Sequence, residues 1–524
     1  MLRQSVNEVS EVKQVLKTTL SVCPECSLVI PAEVVERDNK IFLEKECPTH
    51  GKIVELYYGD AEMYKRFNKY AHDGKGTGNP NINILGYACP ANCGLCPGHL
   101  SHTALANIVV TNRCDLYCWY CFFFAERAGY VYEPSIDQIR EMVRILRREY
   151  PVPGNSVQIT GGEPALRDDL PEIIKVIKEE GVDHIQLNTN GIRLSYDFEF
   201  FKKVKEAGVS NLYLSFDGVT PRTNPKNHWE VPKVIENARK LNVGIVLVPT
   251  IIRGVNDHEL GDIIRFGFKN IDIIRSVNFQ PVSLTGRLTY KEREKYRITI
   301  PDCIIKIEEQ TNGEIPREAW FPVPACTPLT HMIEALVKSP KYELSTHFVC
   351  GAGTYVFKDG DRLVPITQFI DIDGLIKYLQ DRAEELQSGK SRFITAAKIL
   401  WDFGKYIHED KQPEGINVKR MIYEMIVKHD YKSVGDWHRR SLFLGMMHFM
   451  DLYNYDVERV MRCGIHYLTP DNRAIPFCAF NVLSHWYRDR IQRFYGTPIE
   501  EWERREGKSV RQYYRRILET TEQE

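Results

Sequence analysis

The chain has 524 residues, with 69 Lys and Arg against 70 Asp and Glu, a formal charge of -1. That balance excludes a dedicated nucleic-acid coat, which would be strongly basic. Hydrophobic residues at 43% and charged residues at 27% exclude a disordered chain and leave a globular one of roughly three to five domains or subdomains.

Residues 1 to about 20 read as a short polar arm, and MLRQSVNEVSEVKQ lacks the apolar core of a signal peptide. No apolar run approaches the ~18 residues of a membrane span, and the longest, Val243 to Ile252, contains Pro249. The expectation is a soluble cytoplasmic protein. Residues 21–58 read as a small β-rich knuckle: CPEC, the alternating LVIPAEVV, the turn DNK, the strand-like IFLEKEC, then CPTHG. Residues 70–84, rich in Gly and Asn, read as a loop.

From Ala104 strands and helices alternate. ANIVVTN, SVQIT, HIQLNTN, NLYLSFDG, VGIVLVPTII and IIRSVNFQPV read as buried strands, with amphipathic stretches such as IDQIREMVRILRREY and DLPEIIKVIKEEG as the helices between them. The fold class is therefore α/β: six βα-type units in series, a parallel sheet open or curled toward a partial barrel, with chemistry at the C-terminal strand ends. After about residue 290 the pattern becomes mostly helical. The expected divisions are a metal knuckle over 1–75, a Cys loop over 76–103, the barrel over 104–290, a helical region over 291–485 and a tail over 486–524. From Arg488 to Arg516 the tail carries nine Arg or Lys and five Asp or Glu, interleaved with Phe494, Tyr495, Trp502, Tyr513 and Tyr514. It reads either as an ordinary solvated helical face or as a surface for anionic phosphate headgroups.

Fourteen cysteines carry the strongest signal. In a reducing compartment clustered cysteines bind metals rather than pair with one another. Cys114-x3-Cys118-x2-Cys121 follows the first barrel strand directly. Three thiolates on a tight loop hold three irons of a [4Fe–4S] cube and leave the fourth iron open to a chelating ligand. The same three thiols also suit a zinc site short of one ligand. GGEP at Gly161, Gly162, Glu163 and Pro164 follows the second strand, where the glycines let backbone approach a ligand and Glu163 can accept from an ammonium.

Cys89-x3-Cys93-x2-Cys96 repeats the triplet spacing ahead of the barrel, with His99 or His102 as a fourth ligand; a zinc knuckle is the alternative. Cys23, Cys26, Cys47 and His50 have mononuclear tetrahedral spacing, suiting zinc or a rubredoxin-like iron. Cys326, Cys350, Cys463 and Cys478 total four, the number for a fully ligated [4Fe–4S] cluster; buried apolar cysteines are the alternative. Cys303 lies in an apolar helix pattern and reads as core. His347, His448, Asp451, His466 and Asp471, near the C-terminal cysteines in sequence, read as structural polar groups rather than catalytic ones.

The Cys114 triplet and GGEP together resemble the radical SAM superfamily. The resemblance implies a partial (β/α)6 barrel, a catalytic [4Fe–4S] cluster on Cys114, Cys118 and Cys121, and S-adenosylmethionine as cofactor. It places Tyr120 near adenine and Gly161, Gly162 and Glu163 at the methionine amine. It makes Asn188, Asn190, Ser215 and Asp217 candidate ribose or carboxylate contacts; plain loop polar residues are the alternative. In this superfamily an electron from a low-potential donor such as a ferredoxin reduces the cluster, and the resulting 5′-deoxyadenosyl radical abstracts hydrogen from an unactivated C–H bond.

The segments CPEC…CPTHG, ACPANCGLCPGHLSH, TNRCDLYCWYCFFFAERAGYVYEPS and MHFMDLYNYDVERVMRCGIHYLTPDNRAIPFCAFN resemble one archaeal group of radical SAM proteins, similar to the tetraether lipid synthases. That group implies two auxiliary [4Fe–4S] clusters and one mononuclear iron or zinc. Its first implied activity joins isoprenoid tails of diether lipids drawn from the membrane surface. Its second is methylation of 7,8-dihydro-6-hydroxymethylpterin. A long apolar tunnel behind the barrel mouth would speak for lipid and a small polar slot for pterin.

Overall fold

The computed structural model describes residues 13–80, 82, 89–123, 125–285, 292–421, 437 and 439–510. Part of the expected 1–20 arm, part of the 70–84 loop, and Tyr513 and Tyr514 of the tail lie outside the described residues.

An antiparallel sheet opens the fold: β1 (Gln14–Val22), β2 (Val29–Arg37), β3 (Lys40–Cys47) and β4 (Gly51–Tyr58), paired in chain order. The knuckle is as expected except that β1 begins inside what reads as a polar arm. Its sequence, QVLKTTLSV, alternates weakly, and only its last residues are buried. Several contacts fasten the sheet to a distant segment, among them one buried carboxylate. Asp456 accepts from Thr19 Oγ1 at 2.7 Å and from Tyr57 OH at 2.6 Å. Burial pushes Asp456 up, but Lys17 and the neighbouring donors outweigh it and hold its carboxyl down at about 2.

The barrel follows. Its strands are β5 (Leu105–Thr111), β7 (Ser156–Gly161), β8 (His184–Thr189), β9 (Asn211–Ser215), β10 (Gly244–Val248) and β12 (Ile274–Pro281). Between β5 and β7 the short β6 (Tyr130–Val131) leaves the barrel, and β11 (Thr250–Ile251) continues β10 after Pro249. The six main strands lie in sequence order and are all parallel. β5 and β10 are nearly continuous apolar sequence because helices cover the outer face, whereas β8 and β9 alternate buried with more exposed positions. The helices over 136–147, 170–179, 198–207, 231–241 and 260–269 bury Ile, Val, Leu and Phe at helical spacing against them.

The region after 290 corrects one expectation. Helices are present over 300–310, 372–387 and 392–402, yet the segment also builds strands. These are β13 (Phe321–Pro322), β14 (Gly351–Asp359), β15 (Arg362–Pro365), β16 (Ser441–Met447), β17 (Ile465–Thr469) and β18 (Arg473–Pro476). β16 pairs parallel with β12, and β17 pairs parallel with β5. The C-terminal region therefore extends both edges of the six-stranded core, to which a helical layer alone would leave two rows of unpaired backbone groups. In the tail β19 (Thr497–Pro498) pairs with β6. No described helix is long and apolar enough to cross a membrane.

Candidate functional site

The turns after β1 and β3 bring the first metal group together. The ligand atoms of Cys23, Cys26, Cys47 and His50 all lie within 4.8 Å of one another. Cys26 and Cys47 Sγ are 3.9 Å apart, and His50 Nδ1 is 3.5 Å from both Cys23 and Cys47 Sγ. A tetrahedron with Zn–S near ~2.3 Å and Zn–N near ~2.0 Å has edges of about 3.5–3.8 Å, so the four donors match one ion. The Thr49 backbone N–H, and then the His50 ring, bring the Cys47 thiol down to about 6. His50 thus completes the set its spacing suggested.

Cys114, Cys118 and Cys121 leave the C-terminal end of β5 and line one cavity of about 220 Å³ with Tyr120, Gly161, Gly162, Glu163, Asn188, Asn190 and Ser215. Burial raises the Cys114 thiol and pushes Cys118 up to about 12, where Lys226 opposes it. Among the described residues only two groups of three or more potential ligands lie wholly within 4.8 Å, and this triplet is not one of them. Three thiols around a shared void at wider spacing fit a cube of iron and sulfide and do not fit one zinc ion.

The glycine pair serves a different neighbour from the one expected. A Cβ at Gly161 would meet Thr111 O at 2.0 Å, and one at Gly162 would meet Arg113 O at 2.0 Å. The close approach is to the Cys loop itself. Gly162 N donates to Thr111 O at 2.8 Å, and Glu163 N donates to Arg113 O at 2.7 Å. Glu163 is buried, and its carboxylate accepts from Thr189 Oγ1 at 2.7 Å, Asn190 N at 2.7 Å and Ala165 N at 2.9 Å. Burial, and then the nearby Asp115, push it up to about 8. A cation placed beside it reverses that shift.

The remaining candidates divide. Asn188 donates to Thr160 Oγ1 at 3.2 Å, and Asn190 donates to Asp115 at 2.6 Å, locking the Cys loop onto β8. Ser215 lines the cavity, but Asp217 does not. The Asp217 carboxylate takes the Lys226 ammonium at 2.7 Å, the Thr250 N–H at 2.9 Å and the Tyr120 hydroxyl. Lys226 also donates to Tyr120 OH at 3.0 Å and lines the cavity. Nothing in TNPKNHW marks Lys226, because its role comes from a partner nine residues upstream and a tyrosine on another strand's loop.

The other cysteines depart further from expectation. Cys93 is buried, and its N–H donates to Tyr487 OH at 3.0 Å. His99 and His102 are each engaged away from the Cys89 triplet. His99 Nε2 lies 2.8 Å from Cys463 O and 3.0 Å from His466 Nε2, and His102 Nε2 accepts from Glu343 N at 3.2 Å. Cys326, Cys350, Cys463 and Cys478 do not form one group. Cys326 is exposed at the start of the 327–337 helix, beside Tyr355. Cys350, Cys463 and Cys478 instead surround Arg459, whose Nε donates to Cys350 Sγ at 3.2 Å. His347, His448, Asp451 and His466 are buried, Asp471 is half-buried, and Cys303 lies in the main core.

Residues 108–267 match the radical SAM superfamily model, and residues 15–59 match the HMPTM N-terminal zinc ribbon domain. A 7,8-dihydro-6-hydroxymethylpterin dimethyltransferase of Methanocaldococcus jannaschii is 46% identical over 498 residues, covering 93% of this chain and 97% of its own. A GTP 3′,8-cyclase of Aquifex aeolicus is 34% identical over 33% of this chain and 56% of its own. Among solved structures, methylornithine synthase matches 34% of this chain and 53% of its own, at 17% identity and a TM-score of 0.27. The chain thus belongs to the radical SAM superfamily and, within it, to the zinc-ribbon family that includes the M. jannaschii protein.

Proposed function

We propose that this enzyme transfers a methyl group to carbon of a dihydropterin related to 7,8-dihydro-6-hydroxymethylpterin. The observation that carries the reading is the 46% identity to the M. jannaschii protein along nearly the whole of both chains. The cavity at the Cys114 loop is small, about 220 Å³, and its wall is mixed, with Gln158, Thr160, Asn188 and Gln280 beside Leu116, Val248, Phe449 and Phe477; its size, not its polarity, suits a pterin better than a long lipid tunnel. The comparisons lend the lipid-coupling side of the resemblance no such support.

Cys114, Cys118 and Cys121 would hold the catalytic [4Fe–4S] cluster, with Glu163 beside the methionine ammonium of S-adenosylmethionine. When bound, the cluster and S-adenosylmethionine supply a carbon-centred radical that removes hydrogen from an unactivated C–H bond. The chain's own contribution is positional. Asn190 and the Gly161–Gly162 backbone hold the Cys loop against β7 and β8, and the half-buried Phe449 and the buried rings of Tyr467 and Phe477 wall the cavity. Cys89, Cys93 and Cys96, and separately Cys350, Cys463 and Cys478, would hold auxiliary clusters, with Cys326 left out. A low-potential donor such as a ferredoxin would supply the electron.

The test is an anaerobic reaction of reconstituted enzyme with S-adenosylmethionine, a strong reductant, the dihydropterin and candidate one-carbon donors, read by mass spectrometry. A pterin heavier by one or two methyl groups, formed with 5′-deoxyadenosine, supports the reading. Deoxyadenosine with an unchanged pterin under every donor counts against it.

A further inference from the structure

A second and larger cavity, about 440 Å³, adjoins the first. Phe122 and Phe123, directly after Cys121, line both, so only two rings separate them. Its size is that of a small-molecule site. Four arginines line it against one carboxylate, Asp489. Arg293 is already held by Glu55. Arg488 gives Nε to Asp489 at 3.0 Å, yet its buried Nη1 has no hydrogen-bond partner among the described residues. Arg493, one helical turn on, lies over the Tyr130 ring and pairs with no described carboxylate.

Two neutral side chains point to a ligand independently of the charge. Asn481 is 5% exposed and Gln492 is 3% exposed. Both line the cavity, and Asn481 Oδ1 and Gln492 Nε2 are buried without partners among the described residues. Asn481 Nδ2 is 3.3 Å from Tyr467 OH, which orients the amide and leaves its oxygen to accept. An unmet buried acceptor and an unmet buried donor are costly in an empty fold and are satisfied by a ligand that carries both.

We infer that this cavity binds a phosphate- or diphosphate-bearing ligand, with Arg488 and Arg493 on the anion and Asn481 and Gln492 on a hydrogen-bonding edge of the same molecule. Guanidinium forks suit phosphate oxygens. The basic and aromatic segment after Arg488 thus faces a cavity on one side instead of only solvent. If the proposed methyl transfer is right, the ligand is a dihydropterin esterified at its hydroxymethyl group; only that identity, not the anion site, rests on that reading. The same phosphate chemistry is presented by a lipid headgroup.

The experiment is calorimetric titration of the reconstituted, full-length protein with inorganic diphosphate, the dihydropterin with and without a diphosphate ester, and vesicles of a diether phosphatidylglycerol. Proteins compared are wild type, Arg488→Gln/Arg493→Gln and the near-isosteric Asn481→Asp, each checked for zinc content and circular dichroism. The inference expects diphosphate to bind wild type and to weaken at least tenfold in Arg488→Gln/Arg493→Gln, and the esterified pterin to weaken in both variants. The esterified pterin binding tighter than the free pterin supports it and names a small molecule. Vesicles binding with the same loss in the variants support it and name a headgroup. Equal diphosphate binding in wild type and folded variants, or none in wild type, overturns it. Anion binding without methylation of either pterin leaves this site standing and removes the methyl-transfer reading. Methylation unaffected in an arginine variant that has lost diphosphate binding keeps the anion site and rules out the esterified pterin as its ligand.

Discussion

The backbone N–H of Glu163 donates to the carbonyl of Arg113 at 2.7 Å, so the acid after the glycine pair and the residue before Cys114 move as one. This bond exists because Gly162 has no side chain. Gly162→Ala places a methyl 2.0 Å from Arg113 O, which is backbone and cannot rotate away. The variant should lose roughly 2–4 kcal/mol of stability, as overpacking with a broken backbone bond does. It should also lose most deoxyadenosine formation, while Gly244→Ala, whose methyl meets only Arg275 Cγ at 3.6 Å, leaves deoxyadenosine formation intact. Thermal unfolding and product chromatography on both variants check this.

Lys226 and Asp217 form a buried pair at 2.7 Å, with side chains 4% and 7% exposed. Removing one partner strands the other's charge. Lys226→Met should destabilise by about 3 kcal/mol, and Asp217→Asn on that background should recover part of the loss. Urea unfolding of the two singles and the double closes the cycle. A double mutant no better than Lys226→Met would mean that the pair is not what holds this loop.

The zinc-ribbon sheet contacts the 450–458 segment at several points, Asp456 among them, so loss of its metal should be felt at a distance. His50→Ala should release one metal equivalent per chain and increase hydrogen exchange in residues 14–58 and around Asp456. Exchange in β8 and β9 should stay as in wild type. Metal analysis and exchange mass spectrometry read both.

Glu149 is buried beside Thr103, whose hydroxyl and N–H both reach its carboxylate. Burial pushes it up to about 7. In the unfolded chain it ionises near ~4.3. A carboxyl raised on folding contributes stability below its unfolded value and loses that contribution as pH climbs through its folded value. Wild type should therefore lose up to roughly 3 kcal/mol relative to Glu149→Gln between pH 4.5 and pH 8. Melting of both proteins across that range measures it. A wild-type stability that stays constant or rises relative to Glu149→Gln as pH rises would contradict the assigned shift.

The six barrel strands and both local motifs were legible because their signals are short-range. Apolar runs such as NIVVT declare burial on both faces, and GGEP stands directly after its strand, though only the fold shows that its glycines make room for the Cys loop. Long-range pairing was not legible. SLFLGMM and IHYLT each join a barrel edge more than 150 residues away, and no local pattern names such a partner. The cysteines divide on the same line. His50, three residues after Cys47, completes its set, whereas Cys326 looked equal to Cys350 until tertiary contacts separated them. Lys226 acquires its meaning only from Asp217 and Tyr120, which surround it in space.

The central claim, that the radical generated at the Cys114 loop acts on a dihydropterin, is tested most directly by following hydrogen. Dihydropterin deuterated at its ring methylene and hydroxymethyl carbons is incubated anaerobically with the reconstituted enzyme, S-adenosylmethionine and reductant, and the 5′-deoxyadenosine is weighed. Deoxyadenosine one mass unit heavier from the wild-type enzyme, with none formed by Cys114→Ala, is the expected result. Unlabelled deoxyadenosine from the wild-type enzyme, with deuterium instead drawn from a labelled diether lipid, would contradict the claim.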